Sequence, residues 1–317
     1  MIFLKILFWA TITLTPIVLI GAYICYRITF YSSPKRSEVK KQEYPMPDGE
    51  IYEPFHEQIT QWIKEMRALP AKDVSVTSFD GLTLRGRYYE FSPDNPIELM
   101  FHGYRGWGER DLNGGVARCQ RLGHNALIVD QRASNTSDGH VISFGILECR
   151  DCPVWVDYIL KEINPDAKII LTGISMGAAT VMNACSMELP KNVVAVLADC
   201  GYTSAKEIIQ KVMRDQKYPV KLLYPLVKLG ARLYGKFDLE EINPIESVSR
   251  SPLPILFFHG ETDDFVPHEM SLQNYEACTS QKRMVSVPNA GHGLCFPVDQ
   301  DSYVREMREF FGPILKQ

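Results

Sequence analysis

The residues whose types and spacing best suit chemistry belong to a Gly-x-Ser-x-Gly pattern, with Gly173, Ser175 and Gly177 at its defined positions. An apolar run over 168–171 precedes the pattern, and a helix-forming stretch over 178–182 follows it. In a strand–turn–helix of this kind the glycines relieve clashes in a tight turn, and the serine hydroxyl stands above the sheet as a nucleophile. The pattern also occurs in ordinary strand-to-helix turns, so the assignment requires a base and an acid elsewhere.

Candidates for the base and the acid follow later predicted strands. A serine hydroxyl is a weak nucleophile that needs a base, and the base needs an acid to orient it. His292 lies between glycines after the last predicted strand, which favours it as the base. The acid candidates are Asp263 and Asp264, which closely follow the apolar run 255–258, and Asp199, at the end of an earlier strand. The order serine, aspartate, histidine along the chain is that of one known class of catalytic triad.

Such a triad also needs two backbone N–H groups where negative charge develops in the tetrahedral intermediate. We expect one from Met176, the residue after the serine, and the other from Tyr104 in the glycine-rich loop 102–108. His102 and His259 lie in similar loops. We expect them to hold loop hydrogen bonds, because the predicted triad already contains a base.

The elements that must position these groups alternate between strands and helices. Asp80-Gly81 predicts an antiparallel hairpin over 74–89. Apolar strands of the kind that follow are typical of a parallel sheet buried on both faces, so we predict an α/β fold with a mostly parallel central sheet and helices on both faces. The predicted strands are 97–101, 126–129, 168–171, 193–198, 254–258 and 284–287, and the predicted helices are 57–69, 110–122, 149–163, 176–187, 268–278 and 303–315.

Residues 202–250 interrupt this alternation. We predict a helical cap there, because so long an insertion between strands commonly covers a substrate site. The apolar side chains of the insertion suit either an acyl pocket or the packing face of amphipathic helices. The sequence therefore leaves open whether the insertion contacts the substrate.

The N-terminal segment 6–25 contains no charged residue and is long enough to cross a bilayer. A cleaved signal peptide has a shorter apolar core and small residues at its end, so we prefer an uncleaved single-pass anchor. The Lys and Arg residues after this span favour a cytoplasmic catalytic domain. The expected organisation is a transmembrane anchor at 1–27, a tether at 28–50 and a catalytic domain at 51–317, located at the membrane.

Composition narrows the classes of function. A chain of 317 residues, 45% of them hydrophobic, can bury a sizeable core, and a net charge of −4 gives no reason to expect nucleic acid as a partner. Cys149 and Cys152 have C-x-x-C spacing, but no second cysteine or histidine pair completes a zinc site. We therefore expect no metal and no cofactor. The eight scattered cysteines fit a reducing compartment.

Five stretches together resemble the α/β-hydrolase superfamily, in particular its serine aminopeptidase-type and Bem46-like hydrolases. The resemblance covers about residues 74–315. Relatives usually carry glycines where this chain has Ala133 and Asn135, which leaves the local shape of that loop open. The matching stretches are HGYRGWG at 102–108, DQRASNTSDGH at 130–140, GISMG at 173–177, HGETDDFVP at 259–267 and AGHG at 290–293.

This resemblance implies a role for each residue of the triad. Ser175 corresponds to the nucleophile, His292 to the general base and Asp263 to the acid that orients the base. The acidic motif of the family places its aspartate three residues before Val-Pro, which selects Asp263 over Asp264.

The leading hypothesis is a serine hydrolase that cleaves carboxylic esters through an acyl-enzyme on Ser175. The expected partner is a small-molecule or lipid-like ester, with membrane attachment through residues 6–25. Two alternatives use the same triad, namely a peptidase or amidase and an acyltransferase. An alternative of another class is a catalytically inactive, membrane-tethered binding protein.

Overall fold

A single eight-stranded sheet organises the chain. The computed structural model describes residues 2–32 and 43–316, with side chains from residue 14 onward in the first segment. The expected tether falls partly on residues 33–42, which lie outside the described residues. The strands are β1 (Lys72–Thr77), β2 (Thr83–Tyr89), β3 (Ile97–Phe101), β4 (Asn125–Asp130), β5 (Ile169–Ile174), β6 (Val193–Asp199), β7 (Ile255–Gly260) and β8 (Lys282–Val287).

The strand order across the sheet is β1-β2-β4-β3-β5-β6-β7-β8. β1 and β2 form the predicted antiparallel hairpin, and β2 also pairs antiparallel with β4. The ladder of this hairpin ends at the pair Thr77 and Thr83, so its turn extends beyond Asp80-Gly81 on both sides. All pairs from β4 to β8 are parallel. The predicted fold class, a mostly parallel sheet in an α/β-hydrolase fold, is confirmed.

Helices cover both faces of the sheet, so its central strands are buried on both sides and mostly apolar. α2, α3 and α11 pack on one face, and α4, α5, α8 and α9 pack on the other. The helices are α1 (Ile2–Thr29), α2 (His56–Ala68), α3 (Gly108–Leu122), α4 (Cys152–Tyr158), α5 (Met176–Ala184), α6 (Ala205–Asp215), α7 (Val220–Gly230), α8 (Pro244–Arg250), α9 (His268–Ala277), α10 (Cys295–Val298) and α11 (Gln300–Leu315).

The loop after β4 contains residues with positive φ that are not glycine. Ala133 and Asn135 have φ values of 60° and 47°, in the region that favours glycine. Hydrogen bonds hold these conformations, because Asn135 Nδ2 donates to Asp130 Oδ2 over 2.5 Å and Ala133 N donates to Asp138 O over 2.9 Å. The other oxygen of Asp130 accepts from Gly108 N over 2.9 Å, which ties the loop to the start of α3.

The prediction of a transmembrane anchor, and with it of a membrane location, is wrong. Among the residues whose side chains are described, no helix combines the length and the apolar character that crossing a bilayer requires. Residues 6–13 of the expected span lie outside those residues. The described half of the span belongs to α1, and protein contacts account for part of its apolar character. Within this half Ala22 is buried, whereas Ile17 and Ile20 are exposed, and Tyr26 and Phe30, which follow the span, are buried as well.

α1 packs against the helices of the 202–250 insertion. The crossing with α7 is close because Gly230 has no side chain, and a Cβ atom there would lie 2.4 Å from the carbonyl oxygen of Ala22. Phe30 contacts Phe144 and Phe237 edge-on, with ring centres 5.9 Å and 5.2 Å apart. The apolar residues of the insertion therefore serve at least in part as a packing face for α1.

Replacing Gly230 by alanine tests this docking. Alanine normally stabilises a helix interior by about 0.5–1 kcal/mol relative to glycine. We expect Gly230→Ala to lower the free energy of unfolding by about 1–3 kcal/mol, because the methyl group overlaps the backbone of α1. Gly312→Ala in α11 is the matched control, since nothing lies within 4 Å of its Cβ position, and it should be neutral or stabilising. Chemical denaturation measures both, and equal effects would argue against the close crossing.

Candidate active site

The turn between β5 and α5 is a tight elbow centred on Ser175. Ser175 has φ 56° and ψ −117°, a strained conformation for a residue with a side chain. A Cβ atom on Gly173 would lie 2.1 Å from Gly177 O, and one on Gly177 would lie 2.0 Å from Phe101 O. Both positions therefore require glycine, because the backbone of the turn lies too close to its own next residues and to β3 for a side chain to fit. Ser175 is 7% exposed as a whole residue, so its neighbours cover most of it.

Ser175, His292 and Asp263 form a continuous chain of hydrogen bonds. Ser175 Oγ lies 2.9 Å from His292 Nε2, and His292 Nδ1 lies 2.7 Å from Asp263 Oδ2. A carboxylate only accepts hydrogen bonds, so Nδ1 carries the proton and Nε2 is left to accept from the serine hydroxyl. This arrangement can transfer a proton from the serine to the histidine.

Asp263 is held in its ionised form. Its Oδ1 accepts from the backbone N–H groups of Phe265 and Val266, over 3.0 Å and 2.8 Å. His259 Nε2 approaches Oδ2 at 3.1 Å. Burial by itself would raise the pKa of Asp263, but hydrogen bonds from His259 and His292 outweigh it and hold that pKa well below the usual range of an aspartate. The carboxylate therefore stays charged at neutral pH, as the orientation of His292 requires.

The other acid candidates lie outside this chain. Asp264 is exposed, and its backbone oxygen, not its carboxylate, accepts a hydrogen bond from Lys211 Nζ. Asp199 ends β6 and accepts from Tyr303 Oη over 3.0 Å. Asp263 is thus the one acid candidate that touches His292 within the described residues.

His102 has the loop-holding contacts that we expected of it. Its Nδ1 donates to Gly103 O over 2.8 Å, and its Nε2 accepts from Gln131 N over 2.9 Å. Burial lowers the pKa of His102, which keeps the ring neutral with these two contacts. The loop that follows lies against the elbow, since a Cβ atom on Gly103 would be 3.6 Å from Ser175 Cβ.

The two expected oxyanion donors flank Ser175. Met176 is the first residue of α5, and the first N–H groups of a helix have no acceptor within the helix. Tyr104 lies in the loop beside the elbow and lines the same cavity as Ser175. The structure brings both residues to the serine, while their role as N–H donors to a reacting oxygen stays a prediction.

The end of α1 fastens the Tyr104 loop, a contact that sequence reasoning missed. Tyr104 Oη donates to Thr29 O over 2.8 Å, and Arg105 Nη2 donates to Ile28 O over 2.5 Å. These partners are more than seventy residues apart in the chain, and nothing in the sequence pattern pairs them.

A cavity of about 560 Å³ opens beside Ser175 and His292. Its walls come from the segment 47–52, from α2 and α3, and from loops after the strands. None of residues 202–250 lines it, so the interpretation of the insertion as the wall of an acyl pocket is not supported. Tyr52 Oη instead donates to His292 O over 3.0 Å and brings the segment before α2 against the site.

Cys200 lies close to Asp263 and His292, so that these three form the one possible metal-ligand group of the described residues. Burial raises the pKa of the Cys200 thiol well above its usual value, which keeps it protonated. Both ring nitrogens of His292 already face Ser175 and Asp263. The donor set therefore suits the hydrogen-bonded chain better than a metal ion.

Comparison with known proteins found a matching family model, relatives of similar sequence and a solved structure of similar fold. The model of the prolyl oligopeptidase family matches residues 144–317. The polyketide transferase ATR5 of Stachybotrys chlorohalonatus is 31% identical, over 79% of this chain and 100% of that protein. The uncharacterised protein YqkD of Bacillus subtilis is 25% identical over 60% of this chain, and the match spans 62% of that protein. An esterase of Pyrococcus furiosus has a similar structure, with a TM-score of 0.66 at 21% identity, over 79% of this chain and 94% of that one.

The two adjacent aspartates provide a matched test of the acid. We expect Asp263→Asn to lower kcat for p-nitrophenyl acetate by about 10⁴-fold, because an amide facing Nδ1 stabilises the wrong tautomer of His292. Asp264→Asn should keep most of the activity, since its side chain is exposed and outside the hydrogen-bonded chain. Steady-state kinetics of the two variants decides the assignment, and similar losses in both would refute it.

Proposed function

The chain belongs to the prolyl oligopeptidase family and is an α/β-hydrolase enzyme, and from this premise we propose that it cleaves carboxylic esters through an acyl-enzyme on Ser175. The observation that carries the proposal is the contact of 2.9 Å between Ser175 Oγ and His292 Nε2. That contact links the strained elbow to an imidazole whose other nitrogen faces a buried carboxylate.

In the proposed reaction Ser175 Oγ attacks the acyl carbon while His292 Nε2 takes the serine proton. Asp263 stabilises the imidazolium that forms, and the backbone N–H groups of Tyr104 and Met176 donate to the negatively charged oxygen of the intermediate. His292 then gives its proton to the leaving alcohol. Water, activated by the same histidine, attacks the acyl-enzyme and releases the acid.

The walls of the cavity favour an acyl ester with an apolar part. Trp62, Met100 and Phe296 line it, and its volume of about 560 Å³ lies within the usual range for small-molecule sites. We propose a small-molecule or lipid-like ester on these grounds. The motifs of the chain place it, in this proposal, with the serine aminopeptidase-type and Bem46-like hydrolases.

Two alternatives keep the same catalytic groups. The family is named for a peptidase, so amide cleavage is the first, and the fungal relative is named a polyketide transferase, so transfer of the acyl group to an acceptor other than water is the second. An inactive binding protein would have no need of a strained serine hydrogen-bonded to a histidine. We further propose that 51–317 is the catalytic domain and that 202–250 is a cap that holds α1.

Labelling by a fluorophosphonate probe tests the nucleophile. The wild-type protein should react, and Ser175→Ala should not, because the probe forms a covalent bond with an activated serine. Ser186→Ala is a suitable control, since that hydroxyl lies outside the cavity and donates to Asn183 O. Ser175→Ala should also lower kcat by about 10⁶-fold. Labelling that survives in Ser175→Ala would contradict the proposal.

Kinetics of the wild-type protein distinguish ester cleavage from amide cleavage. We expect a higher kcat/KM for p-nitrophenyl esters than for the p-nitroanilide of the same acyl group. A preference for the anilide would favour the peptidase alternative. Rapid formation of an acyl-enzyme that only an added alcohol or amine discharges would favour the transferase.

A further inference from the structure

The glycine-rich loop after β3 has a conformation that its own residues do not favour. Arg105 has a φ of 56°, in the region that favours glycine. Gly106 N donates to Gly103 O over 3.1 Å, which closes the loop into a tight turn. The backbone N–H of Tyr104, the proposed oxyanion donor, belongs to this turn. The loop therefore depends on contacts with other elements to keep that N–H group in one position.

The carboxylate of Asp111, in the first turn of α3, supplies such a contact. Its Oδ2 accepts from Gly103 N over 3.0 Å. A Cβ atom on Gly106 would lie only 1.8 Å from the same oxygen, so the loop backbone folds directly over the carboxylate. The Asp111 side chain is 8% exposed, and it lines the cavity that Ser175 also lines. Asp111 thus contacts the backbone on both sides of Tyr104.

The same carboxylate lies close to the nucleophile. The Cβ position of Gly103 is 3.3 Å from Asp111 Oδ2 and 3.6 Å from Ser175 Cβ. The space of a single carbon atom therefore separates the carboxylate from the side chain of the serine. At such short range a lone negative charge would oppose the negative charge that develops on the substrate oxygen. A carboxylate that holds the loop here needs a positive partner.

Arg110 is that partner. Its Nε donates to Asp111 Oδ1 over 2.6 Å, and its Nη2 donates to Asp111 Oδ2 over 3.3 Å. A guanidinium that donates to both oxygens of a carboxylate fixes the orientation of that carboxylate as well as balancing its charge. The guanidinium carbon also lies 5.0 Å from the centre of the Trp107 ring, which helps to hold it in place.

We infer that Asp111 and Arg110 form a positioning pair for the oxyanion donors. Asp111 holds the loop that carries the N–H group of Tyr104, and Arg110 balances the charge that Asp111 would otherwise present to the reacting oxygen. This inference rests on the proposed ester hydrolysis at Ser175. It goes further by giving two residues outside the triad a role in the rate of the chemical step.

Replacing Asp111 tests the hydrogen bond from Gly103 N. Asp111→Ala removes the acceptor, so kcat for p-nitrophenyl acetate should fall by about 10²-fold with little change in KM, because the substrate oxygen becomes negative only after binding. Asp111→Asn retains an oxygen acceptor and should keep kcat within about fivefold of the wild type. Equal losses in these two variants would overturn the role of the hydrogen bond.

Glu109→Ala is the matched control for Asp111→Ala. It also removes an acid from the first turn of α3, so both variants lose the same favourable interaction with the helix N-terminus. Glu109 does not line the cavity beside Ser175. Its variant should have the kcat of the wild type, and a loss as large as that of Asp111→Ala would overturn the inference.

Replacing Arg110 tests the charge balance. Arg110→Gln leaves the Asp111 carboxylate unpaired, and kcat should fall by about tenfold. Adding Asp111→Asn to this variant removes the charge and should restore kcat to within about fivefold of the wild type, a gain that two independent losses would not give. Both substitutions keep a polar side chain, so they also serve if Asp111→Ala does not fold. A double variant no more active than Arg110→Gln would overturn the inference.

Inhibition by an alkylboronic acid distinguishes displaced oxyanion donors from a loss of folded protein. Ser175 Oγ adds to the boron, and the tetrahedral adduct is negatively charged, as is the intermediate of ester cleavage. The inhibition constant should therefore rise in Asp111→Ala by the factor by which kcat/KM falls. Fluorophosphonate labelling gives the concentration of active protein for each measurement. An inhibition constant equal to that of the wild type would overturn the inference.

The wild-type protein separates the two levels of failure. If it is labelled at Ser175 and hydrolyses esters, while the variants at Asp111 and Arg110 keep its kcat, the proposed function stands and only this inference fails. If the folded wild-type protein shows neither labelling nor turnover of any ester, the proposed function fails, and the inference with it.

Discussion

The close approach of the elbow backbone to β3 is the constraint on which the site depends. With the Cβ position of Gly177 only 2.0 Å from Phe101 O, the start of α5 is in contact with the end of β3. That contact places the loop after β3 against Ser175, and it aligns the first N–H groups of α5 with the same point. A side chain at this position would separate the nucleophile from the loop that is proposed to stabilise its intermediate.

Two carboxylates at neighbouring strand ends show how environment divides similar residues. Asp263, after β7, accepts from two backbone N–H groups and faces two histidines, so its pKa is lowered. Asp199, at the end of β6, is buried with fewer donors, so its pKa is raised. The lowered pKa keeps Asp263 negatively charged beside His292. The surroundings of each strand end therefore decide whether its carboxylate can serve as the charged partner of a histidine.

Two apolar segments of the chain make contacts other than those that their sequences predicted. The run at 6–25 resembles a bilayer span, but in its described half Ala22 is buried against protein, and Tyr26 and Phe30, which follow the run, are buried as well. The 202–250 insertion packs on this helix and leaves the cavity to be enclosed by 47–52, α2 and α3. The end of α1 also holds Tyr104 and Arg105 through its carbonyl groups. The N-terminal helix thus connects the insertion with the loop beside the nucleophile.

The sequence by itself determined the features that depend on local rules. The alternation of apolar runs and helical stripes predicted the sheet and most helices, because burial on both faces demands it. The elbow pattern, the glycines around His292 and the order of the motifs led to Ser175, His292 and Asp263, which the structure brings within hydrogen-bond distance. Only the tertiary structure decided which surfaces meet across long stretches of chain. The docking of α1 and the walls of the cavity both join distant residues. Their contacts arise from packing, which leaves no periodic signal in the sequence.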